Sequence, residues 1–270
     1  MSQRDLSLSG ECVILGSGPS VLTLSEDERR YLNEHPGTIA MNKFFLFHEM
    51  VRVVPKTVFA ADFHYPSHRT VLQLVRKVRR AQSVPQLYLE RYYENLFFRP
   101  LRHPSWSLRE RSRLLRRHRF LAPMLRPFPG VRFFRHQFGV HEGWRWSESL
   151  DEPLFWRHGS LSTAINLATI VHPCRVIKLV GVDMKGAAPF YDRELQRSPE
   201  LMDHTYVKAR RAGKHWTAMI GTDGMEFFRV LATIRQRLEA RGIRLVACHP
   251  QSAVVETGTC PFRPLQERIA

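Results

Sequence analysis

The chain has 270 residues, 43% of them hydrophobic, enough for one large α/β domain with a buried core. Lys and Arg number 41 against 25 Asp and Glu, a formal net charge of +16, which points to polyanionic partners. No run of about 18 apolar residues occurs, the first residues lack an apolar segment, and Cys12, Cys174, Cys248 and Cys260 are widely separated rather than set in metal-ligand pairs; a soluble, cytoplasmic protein is expected, with reduced core thiols rather than a disulfide or zinc role.

Residues 11–15 read as a buried strand that breaks into Gly16-Ser17-Gly18-Pro19-Ser20. Two glycines let the backbone turn tightly and approach a ligand, while successive N–H groups and a following helix start favour an anion. The run lacks the Gly-Lys-[Ser/Thr] ending of a P-loop and the third glycine of a dinucleotide fingerprint, so a plain strand-to-loop turn is the alternative. A short helix is predicted over 24–34, behind polar capping candidates, then strands over 37–42, ending in Asn42, and 57–62, ending in Asp62. Such polar strand ends mark the ligand edge of a parallel sheet.

Residues 66–130 read as a basic helical insertion. Val71, Leu72, Leu74, Val75 and Val78, then Leu87, Leu89 and Tyr92, recur at mostly helical spacings, with prolines at 85, 100 and 104. Within it, Arg76 to Arg80, Arg109 to Arg113 and Arg116 to Arg119 interleave with Trp106, Phe120 and Phe128. That surface suits nucleic acid, anionic lipid or phosphorylated glycolipid, or is simply a solvated face. A strand returns at 131–134, a helix at 160–171, and a central strand over 175–183 ends in Asp183. The polar, basic stretch 185–215 has few core candidates and reads as a lid loop. An amphipathic helix over 225–240 and a strand over 243–248 complete an α/β, Rossmann-like, mostly parallel sheet with flanking helices, one domain in all.

In order and spacing, several of these landmarks resemble the bacterial sialyltransferases of glycosyltransferase family 42. Gly16-Ser17-Gly18-Pro19-Ser20 matches that family's opening Gly-Asn-Gly-Pro-Ser, and Asn42-Lys43-Phe44 its Asn-x-Phe. Arg157-His158-Gly159-Ser160 stands for its Arg-x-Thr-Ser, and Gly181-Val182-Asp183-Met184 for its Gly-Ile-Asp-Phe. His215 and His249-Pro250-Gln251-Ser252 stand for a loop histidine and a Pro-x-Ser. The likeness covers about 1–65 and 155–255. Lys185 stands where the family has a tyrosine, Tyr191 lies near the place of a second one, and His204 rivals His215 for the histidine.

The resemblance implies inverting transfer of sialic acid, or of the related keto sugar Kdo, from a CMP-sugar to a lipid-linked or lipopolysaccharide-type acceptor, with no metal or other cofactor. Gly16 to Ser20 would approach the nucleotide, Asn42 and Asp62 would stand at the donor edge, and Asp183 would accept from ribose hydroxyls. Arg157, Gly159 and Ser160 would address the donor carboxylate or the acceptor, Lys185 and Tyr191 the leaving phosphate, and His215 or His204 would be the general base. The residues themselves leave plainer readings open: strand-end capping for Asn42 and Asp183, an N-cap for Ser160, loop positions for Lys185 and Tyr191. No Asp-x-Asp motif or close His/Cys/Asp set calls for a metal. Expected partners are the CMP-sugar, a phosphorylated glycolipid or oligosaccharide, an anionic membrane on the inner face, and a second copy in a homo-oligomer. Another Rossmann-type nucleotide-dependent transferase, such as a pyrophosphokinase, and a nucleic-acid-binding protein stay open as alternatives.

Overall fold

The computed structural model describes residues 10–61, 68–81, 83, 85–90, 130–137, 145–186, 188–202, 204–213, 215 and 225–269. Among them runs one all-parallel sheet of seven strands: β1 (Glu11–Leu15), β2 (Thr38–Met41), β3 (Thr57–Ala60), β4 (Gln86–Glu90), β5 (Val131–Phe134), β6 (Val176–Val180) and β7 (Arg244–Ala247). The order is β5-β4-β3-β2-β1-β6-β7, so the chain builds outward from β1 to one side and then crosses to β6 on the other. Leu15 lies opposite Ala40 of β2 and Val180 of β6. Their carboxyl ends therefore stand side by side where the strand order reverses, the place where open α/β sheets bind ligands.

Helices cover both faces, which is why the strands are apolar almost throughout. Cys12 and Ile14 of β1 share a core with α4 (Ser160–Val171) and α7 (Glu226–Glu239). The alternate residues Val13 and Leu15 belong to the opposite core, with α1 (Glu26–Glu34) and α5 (Asp192–Arg197). The start of α1 follows from its sequence: Ser25 Oγ accepts from Glu28 N–H and Glu28 returns a bond to Ser25 N–H, a capping box. The shorter helices are α2 (His48–Val51), α6 (His204–Ala212) and α8 (Ala253–Glu256). No helix among the described residues is long and apolar enough to cross a membrane.

Two segments differ from expectation. Gln86–Glu90, assigned from its leucine spacing to a helical insertion, is strand β4, paired to β3 and β5. Leu87 and Leu89 are two apart and both buried, the strand period, and the preceding helix α3 (His68–Arg80) is the crossover that packs Val71, Leu74 and Val78 against them. The insertion proper and its arginine runs from 109 to 119 lie outside the described residues. The stretch 185–215 is more ordered than a polar loop: it forms α5, a 3₁₀ turn at Pro199–Leu201 and α6. Phe190, Tyr191, Leu195, Leu201 and Tyr206 are buried in the core beneath.

The most deeply buried charge among the described residues of the sheet is a lysine. Lys178 of β6 is 1% exposed, and its Nζ donates to Glu11 Oε2 at 2.8 Å and to the carbonyls of Leu265 and Glu267 at 2.8 and 3.0 Å. Tyr31 OH also donates to Glu11 Oε2, at 2.6 Å. The buried ammonium thus ties the C-terminal segment to two strands and to α1.

Candidate functional site

The glycine turn after β1 and the Gly181-Val182-Asp183 turn after β6 lock together. Ser20 donates to Asp183 twice, from N–H to Oδ2 at 2.8 Å and from Oγ to Oδ1 at 2.5 Å. The carboxylate thereby caps the 3₁₀ turn Pro19–Thr23 from across the sheet edge. Gly16 N–H donates to Val180 O at 2.8 Å and Gly18 N–H to Gly181 O at 2.7 Å. A side chain at Gly18 would fall on the Asp183 carboxylate, and one at Gly16 on the Gly181 carbonyl. The glycines therefore serve loop-to-loop contact. The amides of Gly16, Gly18 and Ser20, expected to face an anion, are taken by β6 and Asp183, and Pro19 has none. Ser17 N–H makes no bond among the described residues, while Ser17 O accepts from Phe190 N–H at 2.9 Å.

Beside this clamp, Asn42 bridges two further strand ends. Its Nδ2 donates to Ser160 Oγ at 2.8 Å and its Oδ1 accepts from Ala61 N–H at 3.0 Å. Asn42 takes a left-handed backbone, φ 52°, a conformation asparagine tolerates better than most residues. Ser160 opens α4, so the bond sets that helix N-terminus over the edge, where its amides favour an anion. Gly159, at φ 109° just before it, holds a backbone that side chains resist.

His215 joins the same region. Half-buried by surface area yet ringed by protein, its imidazole is pushed by burial down to about 4, against the pull of the Asp183 carboxylate. It is neutral at physiological pH. Asp183 also anchors β7's exit: its backbone carbonyl accepts from Ala253 N–H at 2.8 Å. There Ser252, 2% exposed, holds an Oγ with no hydrogen-bond partner among the described residues. A buried hydroxyl left so is uncommon.

Other predicted positions stand apart from this cluster. Lys185 is exposed and paired with Glu256, a contact weak enough for a ligand to compete with. Tyr191 is buried, its ring stacked on Phe47 at 4.6 Å and edge-on to Phe190 at 4.8 Å. Arg157 is half-buried and its N–H donates to Ser162 Oγ at 2.9 Å. His204 begins α6, with its side chain outside the described residues, as is all of Asp62. No group of three or more His, Cys, Asp or Glu suited to a metal occurs among the described residues.

Sequence reading missed one pairing here. His158 Nε2 lies 2.7 Å from Glu226 Oε1, a contact between the turn before α4 and the first residue of α7. No spacing signals it, because the two are 68 positions apart. The only local cue is Gly159, which marks a turn of unusual backbone. This chain matches no protein-family model, no curated protein and no solved structure.

Proposed function

We propose that the protein is an inverting, metal-independent glycosyltransferase that moves a keto sugar, sialic acid or Kdo, from its CMP-linked form to a phosphorylated glycolipid or oligosaccharide. The observation that carries this reading is the Ser20–Asp183 clamp at the strand-order reversal, flanked on the same edge by Asn42–Ser160 and by the unpartnered hydroxyl of Ser252. Each carboxylate oxygen of Asp183 keeps a lone pair for a ribose hydroxyl beyond its bonds to Ser20. Asn42 keeps one amide hydrogen, and Ser252 a whole hydroxyl. Donors and acceptors of this kind recognise a nucleoside and orient it.

The leaving phosphate carries the charge. The N-terminus of α4 and Ser17 N–H are the dipolar groups of the edge, and stabilisation of a departing phosphate by such groups needs no metal. His215, neutral at pH 7, accepts a hydrogen bond from a hydroxyl in the site. The net charge of +16 favours a phosphorylated acceptor and an anionic membrane surface where such acceptors lie.

Thermal unfolding in the presence of CMP tests the reading. A ligand at about 100 times its Kd adds about 2.7 kcal/mol, so the midpoint should rise by several degrees with CMP in EDTA and stay in place with AMP. No shift at millimolar CMP would sink the proposal. Release of CMP from CMP-sialic acid and from CMP-Kdo, compared side by side, identifies the donor.

A further inference from the structure

The edge holds a second imidazole, and its surroundings differ from those of His215. His158 and Glu226 form a carboxylate–imidazole pair at 2.7 Å, their side chains 12% and 35% exposed. A carboxylate accepts, so Nε2 carries the hydrogen, and Nδ1 is left with its lone pair. Nδ1 makes no hydrogen bond among the described residues and is not sealed in the interior. It is the arrangement of a proton acceptor with an orienting partner.

The backbone is set for it. His158 lies in the left-handed region, φ 51°, which a residue with a Cβ rarely adopts. Two hydrogen bonds maintain that turn, Arg157 N–H to Ser162 Oγ and Ser162 Oγ to Gly159 O, each 2.9 Å. Two residues on, Ser160 is bonded to Asn42, which fixes the turn to the ligand edge. Strain held by surrounding bonds beside a site is a recognised mark of function.

The rim points to the substrate. Trp156 and Met225, the neighbours of the pair in sequence, are 36% and 41% exposed. An exposed indole beside the pair in sequence suits the apolar C–H face of a sugar ring whose hydroxyls reach the imidazole.

We propose that His158, positioned by Glu226, is the general base of this enzyme and that Trp156 and Met225 line the acceptor-sugar subsite; the assignment rests on the transferase reading above. Nδ1 takes the proton of the acceptor hydroxyl as that oxygen bonds to the anomeric carbon. The bond from that carbon to the CMP phosphate oxygen breaks, and CMP leaves with the electron pair. Glu226 stabilises the imidazolium, which then returns the proton to water.

The test uses His158→Gly, since glycine suits the left-handed backbone and keeps the fold. CMP release from CMP-sialic acid and CMP-Kdo is followed with a phosphorylated oligosaccharide as acceptor, and CMP affinity is measured by calorimetry. Expected are a fall in kcat of about 100-fold or more, unchanged CMP affinity, and recovery on adding free imidazole. Glu226→Gln should lower kcat by about tenfold with KM for the donor unchanged, the mark of an interaction made in the transition state. Full turnover in His158→Gly, or loss of CMP affinity together with turnover, overturns the assignment alone. Wild-type protein that neither binds CMP nor releases it overturns the transferase reading and this assignment with it.

Discussion

At the scale of single residues, the chemistry of the edge depends on atoms that leave no room. Gly18 faces the Asp183 carboxylate so closely that a methyl group must displace it. Gly18→Ala should therefore lower unfolding stability by about 1–3 kcal/mol, the range for overpacking, and weaken CMP binding along with it; denaturant midpoints and calorimetry measure the two. His35 gives a pH signature. It is fully buried, its Nδ1 accepts from Gly37 N–H at 3.0 Å, and burial pushes its imidazole down to about 4. The unfolded chain binds a proton near pH 6.5 that the folded one refuses, so this contribution is whole above 6.5 and is lost as pH falls toward 4. Urea midpoints should drop across that window, and His35→Gln should flatten the drop. Sequence reading located Asp183, Asn42 and the glycines at one edge because strand ends carry polar residues in a readable order. It could not see that Asp183 takes the Ser20 amide, since a hydrogen bond across 163 positions has no local trace.

At the scale of elements, most of the sheet was legible. Six strands and the helices at 26–34, 160–171 and 226–239 fall within a few residues of the periodicity and capping signals that announce them. The exception is instructive. Leu87 and Leu89 fit a strand by spacing, but the arginine-rich, strongly periodic α3 before them drew the whole segment into one helical pattern. Pro85 was the cue: a proline at the start of a strand sits just where its missing N–H does no harm. The segment after β6 failed for another reason. Its buried residues, Phe190, Tyr191, Leu195 and Leu201, are spread among charges over short helices, where no window is long enough to show a period.

At the scale of the whole molecule, Lys178 connects both ends of the chain to the sheet's middle. Removing one member of a buried pair leaves the other charge stranded, at about 3–5 kcal/mol. Lys178→Met should produce a loss of that size by chemical denaturation and should expose residues 262–269 to carboxypeptidase, because the Leu265 and Glu267 carbonyls lose their donor. Unchanged stability would show the ammonium to be replaceable. The same strand order also sets a timetable for synthesis. β1 is made before the other described strands and meets β2 early, but its other flank waits for β6, 165 residues later by the pairing of Glu11 with Val176. A nascent chain halted before that point leaves the flank of Cys12 to Leu15 without its neighbour, an unpaired edge open to wrong partners.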